Sequence, residues 1–115
     1  LHVRRVFDAL LESLDATVRI ARRQEGEELP APLEQSAALL LERLGAANRV
    51  AAANFMGPPA LLATTTAIGD AIRQLDAAFV AYRKHADGAR ADREEAAMAL
   101  DSEIARVKLA AQRWE

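Results

Sequence analysis

The chain contains no cysteine. That removes disulfides, thiolate nucleophiles, cysteine–zinc sites and iron–sulfur clusters together. Aromatic residues make up only 4% of it, and the 115 residues include two histidines, five glycines and four prolines. His2 and His85 stand far apart, with no Glu-x-x-His or His-x-x-x-His spacing, so no metal site and no catalytic metal is expected. His85 reads instead as a helix-end residue beside the negative end of a helix dipole. The glycines are scattered and build no phosphate loop. Ser13, Ser36 and Ser102 lack the strand–turn–helix setting of a nucleophile elbow. The carboxylates Glu94, Glu95, Asp101 and Glu103 are spaced like a solvated helix exterior, not like an acid pair aimed into a cleft. No enzyme and no cofactor is expected.

Charge excess is lacking too. Fifteen basic and seventeen acidic side chains leave a net charge of -2, spread evenly along the chain. A dedicated nucleic-acid binder carries a basic excess on one face. The densest basic cluster, Arg19, Arg22 and Arg23, is followed directly by Glu25, Glu27 and Glu28, so nucleic acid is not an expected partner. The longest uncharged run, Val50–Gly69, is cut by Gly57-Pro58-Pro59 and by Thr64–Thr66. It is not a membrane span. No basic–apolar–small signal pattern opens the chain, and the expected location is cytoplasmic.

What the chain does have is helix formers. Half of it (51%) is apolar, 27 residues are alanine, and arginine outnumbers lysine 13 to 2. The last two features suit a GC-rich bacterial source. Alanine, leucine, arginine and glutamate all favour helices, and apolar residues never alternate with polar ones over a strand length.

Apolar residues at three- and four-residue spacing predict four helices, at about 3–24, 32–56, 60–86 and 93–114. The first stripe is Val3, Phe7, Leu10, Leu14, Thr17 and Ala21, widened by Val6, Leu11 and Val18. The second is Leu33, Ala37, Leu40, Leu44, Ala47, Ala51 and Phe55. The third is Thr65, Ile68, Ile72, Leu75, Phe79, Tyr82 and Ala86, and the fourth Ala97, Leu100, Ile104, Val107, Ala111 and Trp114. Gly26, Gly57 and Gly88 read as stops. Pro32 fits a first helical position. Asp92 with Glu95 reads as a capping box. The third helix begins either near Pro59 or only after the three threonines, which lower helix propensity.

Short connections favour antiparallel neighbours. The expected fold is all-α: one domain over 1–115, an antiparallel up-down-up-down four-helix bundle. The alternative is a set of helical hairpins that completes a bundle only as a dimer. A continuous rod through Asp87–Asp92 would favour it. In general architecture the chain resembles several small alanine-rich bacterial four-helix proteins. That likeness transfers no site.

The second segment is the anomaly. From Ser36 to Met56 only Glu42, Arg43 and Arg49 are charged, and small or apolar residues occur almost all round. Ala38, Gly45 and Ala52 recur every seven residues on a face offset from the main stripe, and Ala46 and Ala53 extend it. A helix apolar on more than one face is usually buried on more than one face. These five residues are the candidate interface with another subunit or another helical protein. The competing explanation is that alanine is common here and partly exposed at little cost. Asn48, Arg49 and Asn54, with Thr65, are candidate contacts for a small ligand. Asn48 also fits a register-setting core asparagine, or simple exposure. The leading expectation is a non-catalytic interaction module that forms a homo-oligomer. The alternative is a ligand-binding or sensor bundle.

Overall fold

Stripes at this spacing are buried only if each segment coils and turns its stripe inward. The computed structural model, which describes residues 2–23, 27–53 and 59–114, contains α1 (His2–Arg22), α2 (Ala31–Ala53), α3 (Pro59–His85) and α4 (Arg90–Ala111). Among the described residues there is no strand. The backbones of α1 and α2, α2 and α3, α3 and α4, and α4 and α1 lie side by side, whereas among the described residues those of the diagonal pairs stay further apart. Cross-helix contacts give the directions. Arg4 reaches the carbonyls of Gln112 and Trp114 while Arg22 pairs with Asp101, so α1 and α4 run antiparallel. Glu34 meets Arg83 and Asn48 meets Thr65, so α2 and α3 do too. The result is a four-helix bundle measuring 47 × 23 × 17 Å.

α3 and α4 bury the predicted stripes without change, from Thr65 to Ala86 and from Ala97 to Trp114. α1 and α2 are rotated by about one residue. In α1 the buried line is Phe7, Leu11, Leu14, Val18 and Ala21, Leu10 is half-buried, and Val6 is 41% exposed. In α2 it is Ala37, Leu41, Leu44 and Asn48, with Leu40, Ala47 and Ala51 only partly covered. At Leu10-Leu11 and Leu40-Leu41 both neighbours are apolar, so spacing alone does not choose between them. The adjoining helix does.

The starts of α4 and α2 differ from expectation, and α3 takes the earlier of its two expected starts. α4 begins at Arg90, with Ala89 as an extended cap that makes no side-chain bond, so the Asp92–Glu95 capping box does not form. Asp92 sits inside the first turn, where its charge suits the dipole. α3 starts at Pro59 and passes through the threonines. The Thr65 and Thr66 hydroxyls donate to the Leu62 carbonyl, which satisfies them within the helix. α2 starts one residue before Pro32, and the Glu34 N–H donates to the Pro30 carbonyl. The expected stops at Gly26 and Gly57 lie outside the described residues. α3 and α4 are not one rod: the chain turns over 86–89, and the Gly88 N–H donates to the His85 carbonyl at 3.0 Å.

The bundle is closed at one end by Trp114. Its ring meets Phe7 edge-on, with centroids 5.2 Å apart, and the Arg4 guanidinium donates to the Trp114 carbonyl at 3.1 Å. On the surface of α1, four residues apart, Arg4 pairs with Asp8 and Arg19 with Asp15.

Candidate functional site: α2 and the groove beside α3

Successive residues of a helix are about 100° apart, and α2 uses its whole circumference. The line Ala37, Leu41, Leu44 and Asn48 faces the core. Next to it, on the α3 side, come Ala38, Glu42, Gly45, Arg49 and Ala52, at four- and three-residue spacing. Further round lie Leu39, Ala46, Val50 and Ala53. None of these nine residues belongs to the buried core: Ala46, Gly45 and Ala52 are half-buried, and the rest are exposed. Leu39 is 46% and Val50 59% exposed. All five interface candidates therefore lie off the core face.

Between α2 and α3 runs a groove of about 520 Å³. Gly45, Asn48 and Arg49 line it from α2, and Gly69, Ile72 and Asp76 from α3. Ala38 lies along it as well, whereas Ala46, Ala52 and Ala53 do not. A smaller cavity, between α1, α3 and α4 around Leu29 and Tyr82, holds only about 50 Å³, room for a few waters.

The ligand candidates separate. Asn48 and Thr65 come together: the Asn48 Nδ2 donates to the Thr65 carbonyl at 3.0 Å, and both residues are buried. Asn48 is the core asparagine that ties α2 to α3. Gly69 makes this possible, because a Cβ there would stand 3.2 Å from the Asn48 Nδ2. The Asn48 Oδ1 is buried without a hydrogen-bond partner. Arg49 is exposed and lies back over Gly45, its guanidinium 3.2 Å from where a Cβ would be. Asn54 lies outside the described residues.

Sequence reasoning missed the α3 side of the groove. Gly69 reads in sequence as a weak helix position, yet it is where α2 and α3 approach through Asn48. Its placement inside an otherwise strong apolar stripe was the available signal. Asp76 was not singled out. Burial raises its pKa above the ordinary carboxylate value.

Charges around the groove are of two kinds. Arg83 pairs with Glu34 at 2.9 Å and Arg73 pairs with Asp70. Glu42, Arg49 and Asp76 form no ion pair among the described residues. Three carboxylates of α4 stand beside arginines away from the groove: Glu94 pairs with Arg90, Asp101 with Arg22, and Glu103 lies 3.8 Å from Arg106. Tyr82 packs near the Arg22–Asp101 pair. Burial raises its pKa, Arg22 lowers it and Asp101 raises it.

Among the described residues, no three His, Cys, Asp or Glu side chains are grouped to hold a metal ion. No helix among them is long and apolar enough to cross a membrane. Comparison with protein-family models, curated proteins and solved structures finds no match for this chain.

Proposed function

We propose that this protein is a non-catalytic helical module that acts by binding, and that it associates with itself through α2. One observation carries the reading. α2 already buries a full core line, yet nine further residues from Ala38 to Ala53 give it a second, largely small and apolar face outside the core. Small side chains let a second helix come close, and Leu39 and Val50 supply apolar area at the edge. The α4 carboxylates Glu94 and Asp101 pair with Arg90 and Arg22 at the surface, which supports a binding role over a catalytic one. Near-neutral charge, with Arg22 tied to Asp101, supports a protein partner over nucleic acid. A cytoplasmic setting fits this reading. The test is light-scattering mass after size exclusion, with Ala52→Arg as the comparison. An assembly that Ala52→Arg dissociates without lowering helix content supports the reading. A monomeric wild type, or an unchanged assembly in Ala52→Arg, counts against it.

A second reading rests on a different observation. The α2/α3 groove has an unpartnered buried acceptor, the Asn48 Oδ1, at its wall. A small molecule with an N–H or O–H donor is the ligand chemistry that would satisfy it. A ligand bound to the native state raises the melting temperature. A panel of small amines, amides and polyols that shifts the wild type but not Asn48→Ala supports this reading. A panel with no shift removes it.

A further inference from the structure

Glu42 and Arg49 are seven residues apart, two turns of α2, so both lie on the same outward face. Arg43 lies further round, at the edge beside Val50, and among the described residues neither Glu42 nor Arg49 forms an ion pair. Their midpoint falls between Gly45 and Ala46. The small residues share this centre. Three residues out from Gly45 and Ala46 stand Glu42 and Arg49, beyond them Leu39 and Ala52, and then Ala38 and Ala53.

We infer that two copies of this chain pack α2 against α2 in antiparallel fashion, across a two-fold axis between Gly45 and Ala46. The inference rests on the self-association proposed above and specifies its geometry. A two-fold contact is self-complementary: if residue i meets residue j, then j meets i. With the axis at this midpoint, Glu42 of each copy stands opposite Arg49 of the other, and the pair forms twice. Gly45 crosses Ala46, where the backbones come closest. Leu39 of each copy meets Ala52 of the other, and Ala38 meets Ala53. A parallel pairing would instead place Glu42 beside Glu42 and Arg49 beside Arg49, which repel. The opposite signs at symmetric positions select the antiparallel form. The face from Ala38 to Ala53 is about 23 Å long at 1.5 Å per residue. Arg49 is exposed and, among the described residues, forms no ion pair, which lets it turn from Gly45 towards Glu42 of the second copy.

Charge reversal tests this directly, in the full chain. Glu42→Arg alone sets arginine against arginine, and Arg49→Glu alone sets glutamate against glutamate. Each single variant should dimerise at least tenfold more weakly than wild type, as read by sedimentation equilibrium. Mixed one to one, they should form a heterodimer, visible by native mass spectrometry, because both cross pairs are then of opposite sign. The double variant, Glu42→Arg with Arg49→Glu, should dimerise like wild type. Both sites are exposed, and unchanged circular dichroism melts would show that the variants fold. Singles that dimerise as well as wild type, with no preference for the mixed pair, overturn the two-fold geometry while leaving self-association through α2 standing. A wild type that is monomeric at every concentration overturns both.

Discussion

The Asn48 side-chain amide donates to the Thr65 backbone carbonyl at 3.0 Å, and this is a buried polar link between α2 and α3. It sits in a core built mainly from aliphatic and aromatic side chains, beside the buried Thr64 and Thr65. A buried polar group is tolerated when it is bonded and costly when it is not. Asn48 is half of each: Nδ2 is bonded and Oδ1 is not. The residue therefore constrains the register of α2 against α3 more than it adds net stability.

Replacing Asn48 with Asp should expose that constraint. The change removes the donor and places a carboxylate in a buried site. At neutral pH the expected loss is about 2–3 kcal/mol by urea unfolding, the scale for an unpaired buried polar or charged group. Burial raises the pKa of the new carboxyl, so the deficit should shrink as pH falls and the protonated acid regains an O–H donor. A deficit that is equal at pH 7 and pH 4 would show that the Thr65 bond does not matter.

Gly45 and Gly69 should respond oppositely to alanine. In a helix interior, Gly→Ala is favoured by roughly 0.8–1 kcal/mol. At Gly45 the new methyl group meets only the flexible end of Arg49, so Gly45→Ala should raise the stability of the isolated chain by about that amount. At Gly69 it meets the buried, hydrogen-bonded Asn48 amide, and Gly69→Ala should gain nothing or lose stability. In an Asn48→Ala background the gain at position 69 should return. Denaturant melts of the four variants test this as a cycle.

Asp76 gives a pH dependence of known sign. Burial raises its pKa in the fold, so its charged form is disfavoured there. The stability linked to it is fully present below the unfolded value and is lost as pH rises through the folded value. Ionised Asp76 thus costs stability at pH 7. Asp76→Asn should raise the melting temperature slightly at pH 7 and make no difference at about pH 3. A lower melting temperature at pH 7 would reveal an attractive partner for the carboxylate.

Trp114 should anchor the end of the bundle that it closes, although it lies beyond the last residue of α4. It is 5% exposed and packs on Phe7. Trp114→Ala should cost about 3 kcal/mol, the low end for a buried tryptophan. Together with Phe7→Ala, the cycle should show a coupling of about 1 kcal/mol, as edge-on aromatic pairs do. A loss below about 1 kcal/mol would mean that the end frays.

Much of this fold is legible from spacing. The stripes of α3 and α4 are read residue by residue because one line at three- and four-residue spacing holds Ile68, Ile72, Leu75 and Phe79 in α3 and Leu100, Ile104 and Val107 in α4. α1 and α2 are less legible because Leu10-Leu11 and Leu40-Leu41 offer two equivalent lines, and only the adjoining helix decides. The capping box at Asp92 fails because a helix start depends on where the preceding turn ends, and here that turn closes at Gly88. The candidate site is legible on one side only. Gly45, Ala38, Asn48 and Arg49 can be found from the anomalous composition of α2. Gly69 and Asp76 face them through the antiparallel register of α3, and a register between helices is a property of packing, not of either helix alone.

The most direct measurement is the mass of the wild-type chain by light scattering at two concentrations tenfold apart. Association through α2 predicts a dimer of about 25 kDa, twice the 12.5 kDa chain, at the higher concentration. A mass of 12.5 kDa at both concentrations would contradict it, and would leave the second face of α2 without a second copy to cover it.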